Sequence, residues 1–194
     1  VDVDYGQAVE WYRKAAELGH PNAQVDLGYM YETGRGVASD AAEAVRWYRK
    51  AAEQGSTDAQ FNLGVSYEHG QGLRKDEAQA LEWYRKAAER GHGSAQNNLA
   101  LMFAGGRGTA PDPVQALRWF RRAAEQGVAQ AQFNLGLRYA QGIGVPKDGA
   151  QALEWYYKAA VQGLADAQNN LGTLYAEGTG VAQDFTRAVY WYAR

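Results

Sequence analysis

Leucine and an aromatic residue recur four positions apart along the chain, at Leu27 and Tyr31, Leu63 and Tyr67, Leu99 and Phe103, Leu135 and Tyr139, and Leu171 and Tyr175. After the first of these pairs, Ala44, Trp47, Tyr48, Ala51 and Ala52 follow the i, i+3, i+4, i+7, i+8 spacing. Both patterns put apolar side chains on one stripe of a helix, so the chain reads as pairs of amphipathic α-helices. Trp stands at 11, 47, 83, 119, 155 and 191, always 36 residues apart, and Ala-Gln precedes each Leu at a fixed distance, as in Ala23-Gln24 and Ala167-Gln168. A period of this length marks a stacked array whose units bury their apolar faces against one another.

Polar residues and glycines mark the ends of these helices. The second helix of each pair is expected to start at Asp40, Asp76, Asp112, Asp148 and Asp184, with Glu43, Gln79, Gln115 and Gln151 three residues later in all but the last. Asp4 with Gln7 repeats the pattern. An Asp oxygen accepts from the free N–H groups of the first turn while the Glu or Gln reaches back, and Pro113 suits the first helical position. The same helix is expected to end at Gly19, Gly55, Gly91, Gly127 and Gly163, where a left-handed residue is wanted. Between the two helices lies Gly34-Arg35-Gly36-Val37, echoed as Gly70-Gln71-Gly72-Leu73, Gly106-Arg107-Gly108-Thr109, Gly142-Ile143-Gly144-Val145 and Gly178-Thr179-Gly180-Val181. A phosphate-binding loop follows a strand and opens a helix, whereas these follow a helix and recur five times, so they read as turns.

The array is read as a single repeat domain spanning 1–194. It comprises the second helix of a partial repeat at 1–20, full repeats at 21–56, 57–92, 93–128 and 129–164, and a repeat at 165–194 with a shortened second helix. The chain does not begin with Met, and Trp191-Tyr192-Ala193-Arg194 stops where earlier copies continue through Lys-Ala-Ala, so a piece of a longer protein is expected. Other parts of that protein are then possible partners.

Composition narrows the function classes. The 194 residues are 46% apolar and 22% charged, which suits a packed globular chain. Twenty basic against 22 acidic residues supply no general positive field for phosphate backbones, so no nucleic acid is expected as partner. No apolar run approaches the ~18–20 residues of a membrane span, so no membrane insertion is expected. Cysteine is absent, which excludes disulfides and thiolate metal sites but leaves periplasmic, secreted and cytoplasmic locations open. His20, His69 and His92 lack metal-ligand spacing and are read as loop residues. Carboxylates such as Asp76, Glu53 and Glu89 are absorbed by caps and helix surfaces, so no catalytic pair, metal or cofactor is expected. The basic pairs Arg13-Lys14, Arg49-Lys50, Arg85-Lys86 and Arg121-Arg122, with Lys158, are expected to form a solvated face near Glu17, Glu53, Glu89 and Glu125. Glu10, Arg46, Glu82, Arg118 and Glu154 alternate in sign before each Trp, which suggests opposite charges stacked between neighbouring repeats. Phe61-Asn62 and Phe133-Asn134 alternate with Asn97-Asn98 and Asn169-Asn170, a possible 72-residue super-period.

Taken together, Ala-Gln-x-x-Leu-Gly-x-x-Tyr, Gly-x-Gly-Val and Ala-x-x-Trp-Tyr-x-Lys-Ala-Ala-Glu-x-Gly resemble the Sel1-like repeat over the whole chain. Departures are local: Ala100 at a Gly position, Asp26 at an Asn position, Thr109 for the turn Val, and a middle turn carrying Pro111 and Pro113. The resemblance implies an all-α, right-handed α-solenoid superhelix related to tetratricopeptide repeats, and a bacterial scaffold or adaptor that binds proteins without catalysis. Some cysteine-rich relatives are linked to penicillin-type compounds, but none of Ser39, Ser56, Ser66 or Ser94 has the Lys three residues on that such chemistry needs. In tetratricopeptide-like superhelices the first helix lines a concave groove. That places Val25, Tyr29, Glu32, Phe61, Val65, Glu68, Asn97, Leu101, Phe133, Leu137, Asn169 and Thr173 on the binding face, with Asn62, Asn98, Asn134 and Asn170 as an amide ladder. Such a face suits an extended or helical protein segment; the amides could equally satisfy backbone groups between repeats. Two other readings stay open: an enzyme or ligand-binding protein acting on a cell-envelope component, and a spacer or targeting segment of a larger protein.

Overall fold

The computed structural model describes residues 4–194. Among them are eleven α-helices and no strand: α1 (Tyr5–Glu17), α2 (Pro21–Thr33), α3 (Ala41–Glu53), α4 (Thr57–His69), α5 (Glu77–Glu89), α6 (Gly93–Gly105), α7 (Pro113–Glu125), α8 (Ala129–Gln141), α9 (Gly149–Val161), α10 (Ala165–Glu177) and α11 (Phe185–Tyr192). The fold class is the all-α solenoid of helix pairs. Two compact units make up the chain. One runs up to Ala95 and includes Arg107–Thr109; the other holds Gln96–Gly106 and everything from Ala110 on.

Each unit is held by the same few joints. Leu27 and Leu63 in the first unit, and Leu99, Leu135 and Leu171 in the second, are fully buried between helices. The Asp caps behave as expected in one half: Asp40 accepts from the Glu43 amide at 3.0 Å, and Asp76, Asp112, Asp148 and Asp184 cap likewise. The other half differs. Glu43, Gln79, Gln115 and Gln151 do not reach back, because the cap's own N–H already donates to the carbonyl of the first-helix aromatic: Asp40 to Tyr31, Asp76 to Tyr67, Asp112 to Phe103, Asp148 to Tyr139 and Asp184 to Tyr175. The start of each second helix is thereby tied to the helix before it.

The second glycine of the turn has a further role. It adopts positive φ, but it also lies on the first turn of the preceding repeat's second helix, where a Cβ on Gly72 would come 2.0 Å from the Ala41 carbonyl oxygen. Gly36, Gly108, Gly144 and Gly180 make the same approach to Tyr5, Glu77, Pro113 and Gly149.

The invariant Gln of Ala-Gln is buried and structural. Gln24, Gln60, Gln132 and Gln168 donate to the carbonyls of Ala16, Ala52, Ala124 and Ala160, adding a second donor to acceptors at the C-terminal end of the preceding helix that already take the N–H of Gly19, Gly55, Gly127 and Gly163. Gln54, Gln126 and Gln162 in turn donate to the side-chain oxygens of Gln24, Gln96 and Gln132. The second repeat departs from this. Arg90 replaces that donor and reaches the Gly55 carbonyl instead, which leaves the Gln60 Oε1 buried without a partner. Arg90→Gln is therefore expected to raise stability by about 1 kcal/mol, the net value of a satisfied hydrogen bond. Urea denaturation would show it; an unchanged or lower midpoint would refute this account of the joint.

The basic row is not simply solvated. Lys50, Lys86, Arg122 and Lys158 lie over the rings of Trp47, Trp83, Trp119 and Trp155 at 3.9–4.7 Å, each such contact contributing about 0.5–1 kcal/mol at an exposed site. Arg13, Arg49 and Arg121 donate to the hydroxyls of Tyr31, Tyr67 and Tyr139. The expected proximity to Glu17, Glu53 and Glu89 yields no ion pair. The alternating charges pair within their own helices, Glu10 with Arg13, Arg46 with Glu43, Glu82 with Arg85 and Glu154 with Lys158, rather than with neighbouring repeats. One helical turn is a shorter reach than the step to the next repeat, so the local partner wins.

Candidate functional site

Within each unit the second helices present buried aromatic rings to the first helices. Tyr48, Tyr84 and Phe120 are buried to within 1% exposure, and Tyr156 to within 2%. Each tyrosine ring packs where the facing first helix has glycine: a Cβ on Gly28, Gly64 or Gly136 would come within 2.5–2.7 Å of the ring of Tyr48, Tyr84 or Tyr156. A Cβ on Gly172 would meet the Tyr192 ring at 2.7 Å in the same way, whereas the middle copy pairs Ala100 with Phe120 in one core cluster, so both members change together.

In the first unit the tyrosine hydroxyls are held by acids. Tyr48 donates to Glu32 and Tyr84 to Glu68, both at 2.6 Å. Burial and the adjacent carboxylate hold the Tyr48 hydroxyl well above its ordinary pKa, so it stays a proton donor across the accessible pH range. Glu68 also pairs with Arg107 from the turn after α6. Phe61 stacks on His92, with ring centroids 4.7 Å apart, and tilts against Tyr84 at 5.8 Å. His92 is more than a loop residue: its Nδ1 accepts from the Ala95 amide, capping α6, while its Nε2 lies 3.4 Å from Asp58. Val65 is half-buried on the same helix, Tyr29 is 41% exposed, and the Arg35 guanidinium lies over the Tyr29 ring at 5.6 Å.

In the second unit the acids are gone, since Ala104, Ala140 and Ala176 occupy the positions of Glu32 and Glu68. Phe133 tilts against Tyr156 at 5.7 Å, repeating the Phe61 geometry and supporting the alternation between successive repeats. Asn97 is buried; it accepts from Asn134 at 3.1 Å and donates to Asn98 at 3.4 Å, so it orients other amides more than it faces a ligand. Burial raises the pKa of the Tyr156 hydroxyl and the neighbouring Asn170 amide opposes that shift, while the Thr173 and Tyr192 hydroxyls lie 3.1 Å apart. Leu101 and Leu137 are half-buried against the apolar clusters of this unit. The structure thus brings Asn97, Asn98 and Asn134 together within the second unit.

Sequence reasoning passed over Arg107 and Arg138. Arg107 sits in a turn read only for its glycines. Arg138 occupies a first-helix position that carries Met30, Ser66, Met102 and Leu174 in the other copies, and that contrast was its available signal. Among the described residues, no group of three or more His, Asp or Glu side chains is arranged to hold a metal, and no helix is long and apolar enough to cross a membrane.

Known proteins place these features. The family model described as Sel1 repeat matches residues 1–20, 21–56, 57–92, 93–128, 129–164 and 165–194. A protective antigen of uropathogenic Escherichia coli displaying an SLR fold is 40% identical with a TM-score of 0.92; the match covers 98% of this chain and 41% of that one, so the chain spans less than half of the antigen's length. A Sel1 repeat protein from Oxalobacter formigenes is 42% identical with a TM-score of 0.87, covering 96% of this chain and 79% of that one. A putative Sel1 repeat protein from Klebsiella pneumoniae is 26% identical over 94% of this chain and 89% of its own, with a TM-score of 0.62. No curated protein matches the chain. The Sel1 repeat fold is in general a protein–protein interaction scaffold, typically non-catalytic, and these neighbours are bacterial. With all six stretches of the chain matched, this protein belongs to the Sel1 repeat family.

Proposed function

We propose that the chain is a non-catalytic adaptor whose first-helix positions hold a segment of another protein. The observation that carries this reading is the division of labour along the repeat. Asp caps, turn glycines, the Ala-Gln glutamines and the tryptophan rings all have partners within the fold, whereas the first-helix residues that differ from copy to copy, Tyr29, Val65, Leu101 and Leu137 among them, stay exposed or half-buried. Tyr29, Phe61, Val65, Leu101, Phe133 and Leu137 offer apolar area, and Asn62, Asn98, Asn134 and Asn170 offer amides that can bond an extended backbone, with side-chain pockets adding selectivity. Asn97 serves by fixing Asn134.

The test is a library of acetylated, amidated twelve-residue peptides screened on the purified chain. The triple variant Phe61→Ala, Asn98→Ala, Phe133→Ala is then measured against each binder. Removing two apolar anchors and one amide is expected to weaken binding at least a hundredfold, while far-UV circular dichroism stays helical. Affinity retained within twofold would refute the assignment of these residues to the binding face.

A further inference from the structure

Arg138 is out of place for a core residue. Its equivalents Met30, Met102 and Leu174 are buried apolar side chains and Ser66 is buried and small, yet here a guanidinium occupies the position. It lies over the Phe120 ring with its central carbon 5.5 Å from the centroid. Its Nε is buried and has no hydrogen-bond partner. No carboxylate among the described residues pairs with it; the ion pairs of this unit are Glu154 with Lys158 and Asp184 with Arg187. Burial without a counter-charge lowers its pKa, which is the opposite of what the tyrosine partners do for Arg13 and Arg187.

The neighbourhood shows why the charge is uncompensated. In the first unit, Tyr48 and Tyr84 present hydroxyls to Glu32 and Glu68. In the second, Phe120 has no hydroxyl and Ala104, which packs against the same cluster, has no carboxylate. An acid supplied by the chain at this place in the repeat is thus missing where a cation has been added. A half-buried guanidinium whose Nε has no partner costs stability, and an anion arriving from outside would offset that cost.

We infer that Arg138 receives the side-chain carboxylate of an Asp or Glu in the bound protein segment, with Phe120 beneath the guanidinium and Asn134 one turn before it on α8. This inference rests on the adaptor reading above. A guanidinium matches a carboxylate through two parallel N–H donors. One cation balances a monoanion, whereas a phosphate would bring nearly twice the charge.

The experiment uses the same capped peptides in pairs that differ only by Glu against Gln, measured on the native chain and on Arg138→Met, a residue that the fold already accepts at positions 30 and 102. Among binders, the native chain is expected to prefer Glu about tenfold, and the variant to show less than a twofold preference. The variant should also melt no lower than the native chain, which shows that lost discrimination is not lost folding. Equal affinity for both members of every pair, or a preference that survives in Arg138→Met, overturns this inference alone. A preference that appears only when the peptides carry a free C-terminus overturns the side-chain form in favour of a terminal carboxylate. Failure of every peptide to bind overturns the adaptor reading and this inference with it.

Discussion

Gly72→Ala should destabilise the chain by about 3 kcal/mol or more, a large part of the ~5–15 kcal/mol that holds a domain of ordinary stability. Two costs combine. A left-handed backbone conformation costs a non-glycine residue roughly 1–2 kcal/mol, and Gly72 sits at φ +70. The second cost is contact: the added Cβ would come 2.0 Å from the Ala41 carbonyl oxygen, 2.3 Å from its carbon and 2.8 Å from the Ala42 nitrogen. These are backbone atoms of a helix's first turn, and they cannot rotate away as a side chain would. Gly91→Ala is the matching control. It has φ +93 and nothing within 4 Å of the added atom, so it should show the conformational cost alone. Urea denaturation of the two variants would separate the terms. Equal losses would mean that the turn yields and that the close approach to α3 contributes nothing.

The second large effect concerns the buried tyrosine rings. Gly64→Ala is expected to cost about 2–3 kcal/mol, because the new methyl group meets the Tyr84 ring at 2.5 Å in a site with no exposed area. The cost depends on how firmly the ring is held, and the Tyr84 hydroxyl is pinned by Glu68 at 2.6 Å. Phenylalanine at 84 would release that end and let the ring tilt. Gly64→Ala with Tyr84→Phe should therefore lose about 1 kcal/mol less than the sum of the two single changes. The pairing of Ala100 with Phe120, where the partner of the hydroxyl is also absent, follows the same logic within the natural sequence. Strict additivity of the double variant would leave that natural pairing without an explanation.

Legibility followed the range of the interaction. Helix limits were readable because Asp40, Gly34 and Gly55 act on atoms within a few residues, and period and spacing pointed to helix pairs and to the family. Three features were not readable because each depends on where a neighbouring helix falls. Glu43 and the glutamines at its equivalent positions do not reach back, since a first-helix carbonyl such as that of Tyr31 already takes the Asp40 amide. The alternating charges beside the tryptophans find partners one turn away in their own helix, a competition that spacing alone leaves undecided. Asn97 and Asn98 look alike in sequence, yet one is buried as a strut and the other half-exposed. Arg138 was visible as the one charged residue in a column otherwise filled by Met, Ser and Leu; its meaning needed the missing hydroxyl of Phe120 beside it.

The tie between each Asp amide and the aromatic carbonyl nine residues earlier has a consequence for how such a chain can change over generations. Together with the glycine seated on the preceding helix, it makes the spacing inside a repeat stiff. Adding one residue to the turn would misplace the cap, the glycine and the following helix at once. Exchange of a whole 36-residue copy disturbs none of them, because the same partners recur at the new joint. Recombination between copies is therefore the permissive route of variation for this architecture, lengthening or shortening the array in whole steps, while point substitution is left to retune the first-helix positions one residue at a time.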